Sequence, residues 1–251
     1  MLPSQKFTAA FSAAEETPRT LVENAYLALR QDIIEGKHLP GTRLRVEHLK
    51  DDYGVGAGTL REALSLLVSD ALVYSEGQRG FWVSSISPED LEDITRNRIL
   101  LETEALRISI RTGTDEWEAG LMAAFHRLTK VEEKLNNSAQ QFREWEERNR
   151  GFHEALIAAC DSRWLRYLIG ILYRQSERYR RFALGSDSKR NVHAEHQEIY
   201  DAAMSRDEKR ACAALELHIS TTLFVLREAP SSPSPPTQPP RRSKRDDLPP
   251  K

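Results

Sequence analysis

Glycine and proline, the residues that most often interrupt regular structure, are unevenly spread along this 251-residue chain. Seven of the 12 glycines fall between Gly36 and Gly80, and eight of the 12 prolines fall from Pro230 onward. Glycine permits sharp turns and proline ends helices, so the pattern predicts a turn-rich segment, a long helical segment and a proline-rich tail. A chain of this length can form two domains with separate cores.

The first ordered segment is expected at residues 20–84, after residues 1–19, which lack a sustained pattern and are expected to be disordered. Thr20 and Glu23 have the spacing of a capping box, in which each side chain bonds a free backbone N–H of the first turn. The helix that they begin is expected to end at Gly36. The segment therefore starts with a capped helix.

Two further short helices and a hairpin are predicted between Arg43 and Val83. Glycines separate the two helices, and residues 72–83 alternate around a turn at residues 76–80, as a wing would. The inward face of the second helix is predicted to consist of Leu60, Ala63, Leu64, Leu67 and Val68. Its outer face begins with short polar and basic residues, which a DNA major groove can accommodate.

The runs LPGTRLR and GVGAGTLREAL, followed by a hairpin that ends in RGF, resemble the winged helix-turn-helix of the GntR regulators. The resemblance covers about residues 20–84 and continues downstream; it implies a double-stranded DNA operator as partner. The candidate DNA-contacting residues are Arg43, Arg45, Lys50, Thr59, Arg61, Arg79 and Gly80. Gly56, Ala57 and Gly58 replace the family's frequent Ser-Arg-Thr, so its usual operator is not expected here.

Charge alone does not favour DNA binding. The formal net charge is −2, and residues 20–84 carry seven basic against nine acidic side chains. Affinity for DNA depends on how charge is distributed on one face, so the total does not exclude this function.

Residues 85–229 are predicted to form an all-α bundle of six helices. Ser87 provides a cap, and Pro88 with two acidic residues suits the first turn. The expected helices lie near residues 88–111, 115–135, 139–160, 162–183, 191–205 and 208–228. The fold class is thus mostly α, a winged helix-turn-helix followed by a bundle. Residues 230–251 are expected to be disordered, with RRSKR either solvated or in contact with phosphate.

Cellular location follows from what the sequence lacks. Cys160 and Cys212 lie in apolar helical patterns and are expected to be free thiols in a reducing compartment. No apolar run has the length of a membrane span, and the first residues lack the apolar core of a signal peptide. The sequence therefore predicts a cytoplasmic protein without a membrane partner.

Three histidines of the helical segment, His153, His196 and His218, fall on three different predicted helices. Asn149 precedes His153 by four residues, so both lie on one helix face. Imidazoles that converge from separate helices form a natural site for a divalent metal. A single helical histidine is more often an ordinary core or surface residue, and His193 is a rival ligand, so the residues alone leave the question open.

The helical segment resembles the FadR-type C-terminal domain (FCD) of GntR regulators, in which an Asp/Asn-x-x-Phe-His segment and two later histidines hold a metal. The resemblance implies a divalent ion such as Zn or Ni held by Asn149, His153, His196 and His218, with Asn in place of the commoner Asp. Arg98 matches a first-helix arginine that points into the same cavity and would bind a carboxylate effector. The alternative for Arg98 is a surface salt bridge with Glu102.

Two further runs of the sequence are informative. The run RQSERYRRF, residues 174–182, is expected to be one solvated helix face with Tyr179 and Phe182 packed, or else part of a dimer or effector surface. The runs GVGAGTLREALSLLV and GTDEWEA resemble glutarate-responsive repressors of the family, which implies a short dicarboxylate such as glutarate as effector.

Three classes of function are consistent with these features. The first is a homodimeric regulator, expected to be a repressor, that is controlled by an effector and binds a palindromic operator. The second is a metalloenzyme that uses the three histidines to activate water, although no glutamate at a fixed offset is an evident base. The third is a helical adaptor without a ligand.

Overall fold

The computed structural model describes residues 20–134, 138–184 and 190–228. The predictions for residues 1–19 and for the tail from residue 230 onward lie outside the described residues. Within the described ranges, no helix is long and apolar enough to cross a membrane.

The N-terminal unit contains three α-helices, a small sheet and a single turn of 3-10 helix (Gly77–Arg79) between the last two strands. Its elements are α1 (Leu21–Ile34), β1 (Arg43–Leu44), α2 (Val46–Asp52), α3 (Ala57–Ser69), β2 (Val73–Ser75) and β3 (Phe81–Val83). The sheet is antiparallel in the order β1-β3-β2, with Trp82 opposite both Arg43 and Tyr74. This is the predicted winged arrangement, with β1 as an addition that the sequence did not reveal. Two residues are too few to give an alternating pattern.

The capping box that was predicted for α1 is present. Glu23 N donates to Thr20 Oγ1 at 3.1 Å, and Thr20 N donates to Glu23 Oε2 at 3.0 Å. On α3, four of the five predicted core residues are fully buried, namely Leu60, Ala63, Leu64 and Leu67. The prediction was wrong for Val68, which is exposed, because it lies at the margin of the apolar stripe rather than at its centre.

The remaining described elements are six helices, as predicted. They are α4 (Pro88–Thr112), α5 (Asp115–Glu132), α6 (Ala139–Leu156), α7 (Arg163–Leu184), α8 (Val192–Met204) and α9 (Glu208–Glu228). Asp90 N donates to Ser87 Oγ at 3.1 Å, so Ser87 caps α4 as expected. The mostly α fold class is confirmed.

The bundle, α4 to α9, places a polar centre beside an apolar core. Ion pairs between Arg111 and Glu208 and between Glu92 and Arg227, both at 2.7 Å, show that α4 and α9 run antiparallel. Aliphatic and aromatic side chains of all six helices, α4 to α9, fill the core. The buried polar residues of the centre include Arg98, Glu102, Asn149, His153, His196 and His218.

Candidate functional site

The histidine cluster consists of His153 on α6, His196 on α8 and His218 on α9. One ring nitrogen from each lies within 4.8 Å of the others. All three side chains are buried, and the ring centroids of His196 and His218 are 4.6 Å apart. The structure therefore brings together the three histidines that the sequence selected, at a spacing that one divalent ion can bridge.

Asn149 lies one helical turn before His153 and is buried beside it. Its Nδ2 donates to the Tyr173 hydroxyl at 2.8 Å. Its Oδ1 is buried and has no hydrogen-bond partner among the described residues. A buried acceptor without a partner is costly, so this oxygen is available for a ligand.

Each histidine of the cluster has a carboxylate oxygen beside its Nδ1. The three distances are 2.7 Å for His196 to Glu132, 2.8 Å for His218 to Glu195 and 3.5 Å for His153 to Glu102. A carboxylate that accepts from Nδ1–H fixes the tautomer in which Nε2 carries the lone pair. In the described part of the chain, Nε2 of His196 is buried and makes no hydrogen bond. This is the arrangement that a metal-binding imidazole requires.

The pKa values of His153 and His218 favour neutral imidazoles. Burial lowers the pKa of His153 to about 4, although Glu102 opposes the shift. Burial, followed by the neighbouring His196 and His153, holds the pKa of His218 well below its usual range. Burial opposes ionisation of Glu102, but Arg98 and His153 outweigh it and lower the pKa of that carboxyl to about 2. Neutral imidazoles beside ionised carboxylates are the protonation states that metal binding needs.

His193, the rival ligand, lies outside the cluster. Its side chain is 43% exposed, its Nδ1 pairs with Glu132 Oε2 at 2.8 Å, and its ring stacks on Phe125. Glu132 thus contacts His193 with one oxygen and His196 with the other. The structure separates two histidines that are only three residues apart in sequence.

Arg98 lies next to the cluster and is buried. Its Nε donates to Glu102 Oε1 at 2.6 Å and its Nη1 donates to Ser176 Oγ at 3.0 Å. Its guanidinium lies 5.0 Å from the centre of the Tyr173 ring. The salt bridge with Glu102 is present, but it is buried rather than on the surface, so that part of the alternative was wrong.

The interpretation of the run 174–182 as a solvated face was also wrong. Gln175, Ser176, Glu177, Arg178 and Arg180 are all buried. Tyr179 is packed as expected, whereas the side chain of Phe182 lies outside the described residues. The burial of so many charges was not evident because their partners lie on other helices and in the N-terminal unit.

Sequence reasoning missed Glu132, Glu195 and Tyr173 as members of the site. Glu195 directly precedes His196, but no local pattern connects it to His218. Glu132 lies on α5, which carried no candidate ligand in the sequence. Contacts between different helices give no periodic signal, so these partners could be identified only from the fold.

Two candidate DNA-contacting residues of the helices, Lys50 and Arg61, lie near each other because both approach Glu47. The Arg61 side chain on α3 is 57% exposed and lies 4.0 Å from Glu47, which also pairs with Lys50 at 3.2 Å. Arg45 is exposed at the start of α2, and Thr59 is half-buried in the first turn of α3. Glu47 therefore offsets part of the positive charge beside α3.

The candidate DNA-contacting residues of the wing are joined by contacts of Arg43. Arg43 Nη2 donates to the backbone oxygen of Arg79 at 2.5 Å, and its guanidinium lies 5.4 Å from the centre of the Trp82 ring. Gly80 has a φ of 115°, a conformation that residues with a side chain rarely adopt. The turn of the wing thus depends on Gly80.

Comparison with known families matches both parts of the chain. Residues 21–83 match the family of bacterial regulatory proteins, gntR family, and residues 93–221 match the FCD domain. The HTH-type transcriptional regulator BphR of Paraburkholderia xenovorans (strain LB400) is 45% identical over 84% of this chain and 86% of its own length. The HTH-type transcriptional repressor GlaR of Escherichia coli (strain K12) is 35% identical over 82% of this chain and 96% of its own.

Solved structures share the fold. Escherichia coli McbR/YncC superposes with a TM-score of 0.68 at 20% identity, over 84% of this chain and 98% of its own. A transcriptional regulator GntR from Rhodococcus sp. RHA1 superposes with a TM-score of 0.66 at 20% identity, over 83% of this chain and 99% of its own. At these identities the likeness concerns the fold alone.

Proposed function

Because the chain belongs to the GntR family of bacterial regulatory proteins and carries an FCD domain, we propose that it is a repressor whose DNA binding is controlled by a carboxylate at a metal site. Family membership makes it a transcriptional regulator rather than a metalloenzyme or an adaptor.

The metal site would consist of Asn149, His153, His196 and His218. The observation that carries it is a pair of buried atoms without partners in the described residues, His196 Nε2 and Asn149 Oδ1. Three imidazoles and one amide oxygen suit Zn²⁺ or Ni²⁺. The bound ion would supply a positive charge and open coordination positions for an anionic ligand.

Charge around the cluster favours an acidic effector. Glu102, Glu132 and Glu195 contact the imidazoles, while Arg98 and Arg190 neutralise two of these carboxylates. The surroundings therefore carry one net negative charge against the two positive charges of a divalent ion. A single carboxylate group would balance the remaining charge where the dielectric constant is low.

Arg98 is the proposed second contact for that carboxylate. It uses Nε and Nη1 for Glu102 and Ser176, and a guanidinium has a further donor face that can approach a ligand. A short dicarboxylate such as glutarate is the proposed effector, since two runs of the sequence resemble glutarate-responsive repressors. Asn149 is neutral, so metal retention and acid binding should depend strongly on each other.

The operator would be a palindromic double-stranded DNA site bound by a homodimer, because one winged unit reads too few bases for a unique site. Arg43, Arg45, Lys50, Thr59, Arg61, Arg79 and Gly80 are the proposed contacts. The protein would act in the cytoplasm. Sedimentation at micromolar concentration should show a dimer, and a monomer alone would contradict the assembly.

The effector site can be tested by calorimetric titration of glutarate into protein loaded with Zn²⁺ and into chelator-treated protein. We expect binding only with metal, and no binding in the variant His196→Ala. The matched control is His193→Ala, which removes a neighbouring histidine outside the cluster and should retain binding. Equal glutarate affinity in wild type and His196→Ala, with and without chelator, would disprove the metal-bound effector.

A further inference from the structure

Helix α7 presents two different sets of polar residues on two of its faces. Tyr173, Ser176 and Arg180 recur at intervals of three and four residues and therefore share one face. Arg174, Gln175 and Arg178 lie on another face. The first set contacts the surroundings of the histidine cluster and the second contacts the N-terminal unit and the segment that follows it.

The first face reaches the site directly. The Tyr173 hydroxyl accepts from Asn149, and Ser176 Oγ accepts from Arg98 Nη1 at 3.0 Å and from Arg180 Nη1 at 2.6 Å. The guanidinium groups of Arg98 and Arg180 lie 5.0 Å and 4.3 Å from the centre of the Tyr173 ring. Any ligand that moves Asn149 or Arg98 must therefore disturb α7.

The second face contacts Asp70, the C-cap residue directly after α3. Arg174 Nη2 donates to Asp70 Oδ1 at 3.0 Å, and Gln175 Nε2 donates to the backbone oxygen of Asp70. The hydroxyl of Tyr26 on α1 donates to the other carboxylate oxygen of Asp70. Asp70 thus joins α7, α1 and the end of the helix that is proposed to enter the DNA groove.

Neighbouring contacts make this attachment stiff. Glu177 forms a buried ion pair with Arg30 of α1, and Arg178 Nη2 donates to the backbone oxygen of Ser84 at 2.6 Å. Breaking a buried ion pair leaves an uncompensated charge, which is strongly unfavourable. A small rotation or shift of α7 should therefore carry the N-terminal unit with it instead of sliding past it.

We propose that α7 transmits the state of the histidine cluster to the N-terminal unit, with Asp70 as the positioning residue that receives the movement from Arg174. This inference rests on the proposed metal and effector site. It adds the path by which that site acts, which runs through α7 in addition to the covalent link at residues 84–88.

The test is hydrogen–deuterium exchange of the full chain, with and without Zn²⁺ plus glutarate, while native mass spectrometry reports metal and acid occupancy. In wild type, loading should change the protection of amides in α1 and α3 by about fivefold or more, the lower end of typical coupling between sites. In Arg174→Met the change should remain in the bundle and be reduced in α1 and α3, where the Arg30–Glu177 pair still joins α7 to α1. Arg174→Lys should restore it.

The control is Arg143→Ala. Arg143 of α6 pairs with Glu35 at 2.7 Å, so it also connects the bundle to the N-terminal unit, but the pair is more exposed and should contribute little. This variant should behave as wild type. If Arg174→Met does not fold, Asp70→Asn removes the same ion pair while preserving the shape of the side chain.

The outcomes separate the two proposals. Failure of wild type to retain metal or acid would overturn the effector site and this inference with it. Normal loading without any change in α1 and α3 would overturn only the inference, as would an unchanged response in Arg174→Met. A merely structural role for Arg174 would alter protection equally in the loaded and unloaded protein, and would leave their ratio as in wild type.

Discussion

The N-terminal unit and the bundle are stabilised in different ways. The centre of the N-terminal unit is a small apolar core that includes Leu29, Leu60, Leu64 and Leu67, and its charged candidates lie at the surface. The bundle also has an apolar core, but next to it lies a group of buried histidines, glutamates and arginines. An apolar core needs only complementary shapes, whereas buried polar groups need every partner in place. The bundle therefore depends on all of these polar contacts being formed together.

The largest effect should come from a change in the apolar core of the N-terminal unit. Leu64→Ala removes a fully buried side chain from α3 and should destabilise the N-terminal unit by about 2–5 kcal/mol through lost burial and a residual cavity. Urea unfolding monitored by DNA binding would measure it. Zn²⁺ binding by the bundle should persist at urea concentrations that unfold the N-terminal unit of the variant, and simultaneous loss of both would contradict the separation of the two cores.

Acid should weaken the bundle through its buried imidazole and carboxylate groups. The pKa of His153 is about 4 in the folded chain, below the usual value of about 6.5 in the unfolded chain. The unfolded state therefore binds the proton first, and stability is lost as pH falls from about 6.5 to 4, by about 3 kcal/mol as an order of magnitude. Glu102, whose pKa is lowered to about 2, should add a further loss between about pH 4.5 and 2.

Chelator-treated protein should be used for this measurement, because a bound ion would compete with the proton. Thermal unfolding across the pH range, in wild type and in His153→Gln, would show whether the slope between pH 6.5 and 4 belongs to that imidazole. A slope that is the same in both proteins would assign the acid sensitivity to other groups.

The third effect concerns the carboxylates that hold the imidazoles. Glu132→Gln should lower Zn²⁺ affinity by about 10–100-fold, because it weakens the contact that fixes His196 while leaving every proposed ligand in place. His193→Ala removes the other partner of Glu132 and should change affinity much less. Competition with a chromogenic chelator would give both values, and a larger effect of His193→Ala would reverse the roles assigned to the two histidines.

The two regions also differ in how much the sequence predicted. The capping residues Thr20 and Ser87, together with the apolar periods that follow each of them, located most elements, because these signals depend on residues close together in the chain. The histidine cluster could not be identified from such local signals alone. His153, His196 and His218 were selected by resemblance, and the partners Glu132 and Glu195 could not be predicted from spacing, since 64 residues separate Glu132 from His196. Local patterns determine helices, while a site built from several helices depends on how they pack.

The smallest effect should come from the exposed side of the N-terminal unit. Arg61→Ala removes an exposed guanidinium from α3, so the free energy of unfolding should remain within about 0.5 kcal/mol of wild type. DNA affinity should fall uniformly across sequences if Arg61 binds phosphate, and the slope of log affinity against log salt should decrease by about one. Because Glu47 lies 4.0 Å from Arg61, it screens the arginine in the free protein, and Glu47→Gln should strengthen DNA binding while Arg61 is present.

Arg96→Ala is the matched control, since Arg96 is an exposed arginine of the bundle. Titration of a DNA duplex by fluorescence anisotropy at several salt concentrations measures all three variants. An equal loss of affinity in Arg61→Ala and Arg96→Ala would show that net charge, rather than the face formed by α3, governs binding. An unchanged salt slope in Arg61→Ala would mean that α3 does not approach the DNA backbone through this residue.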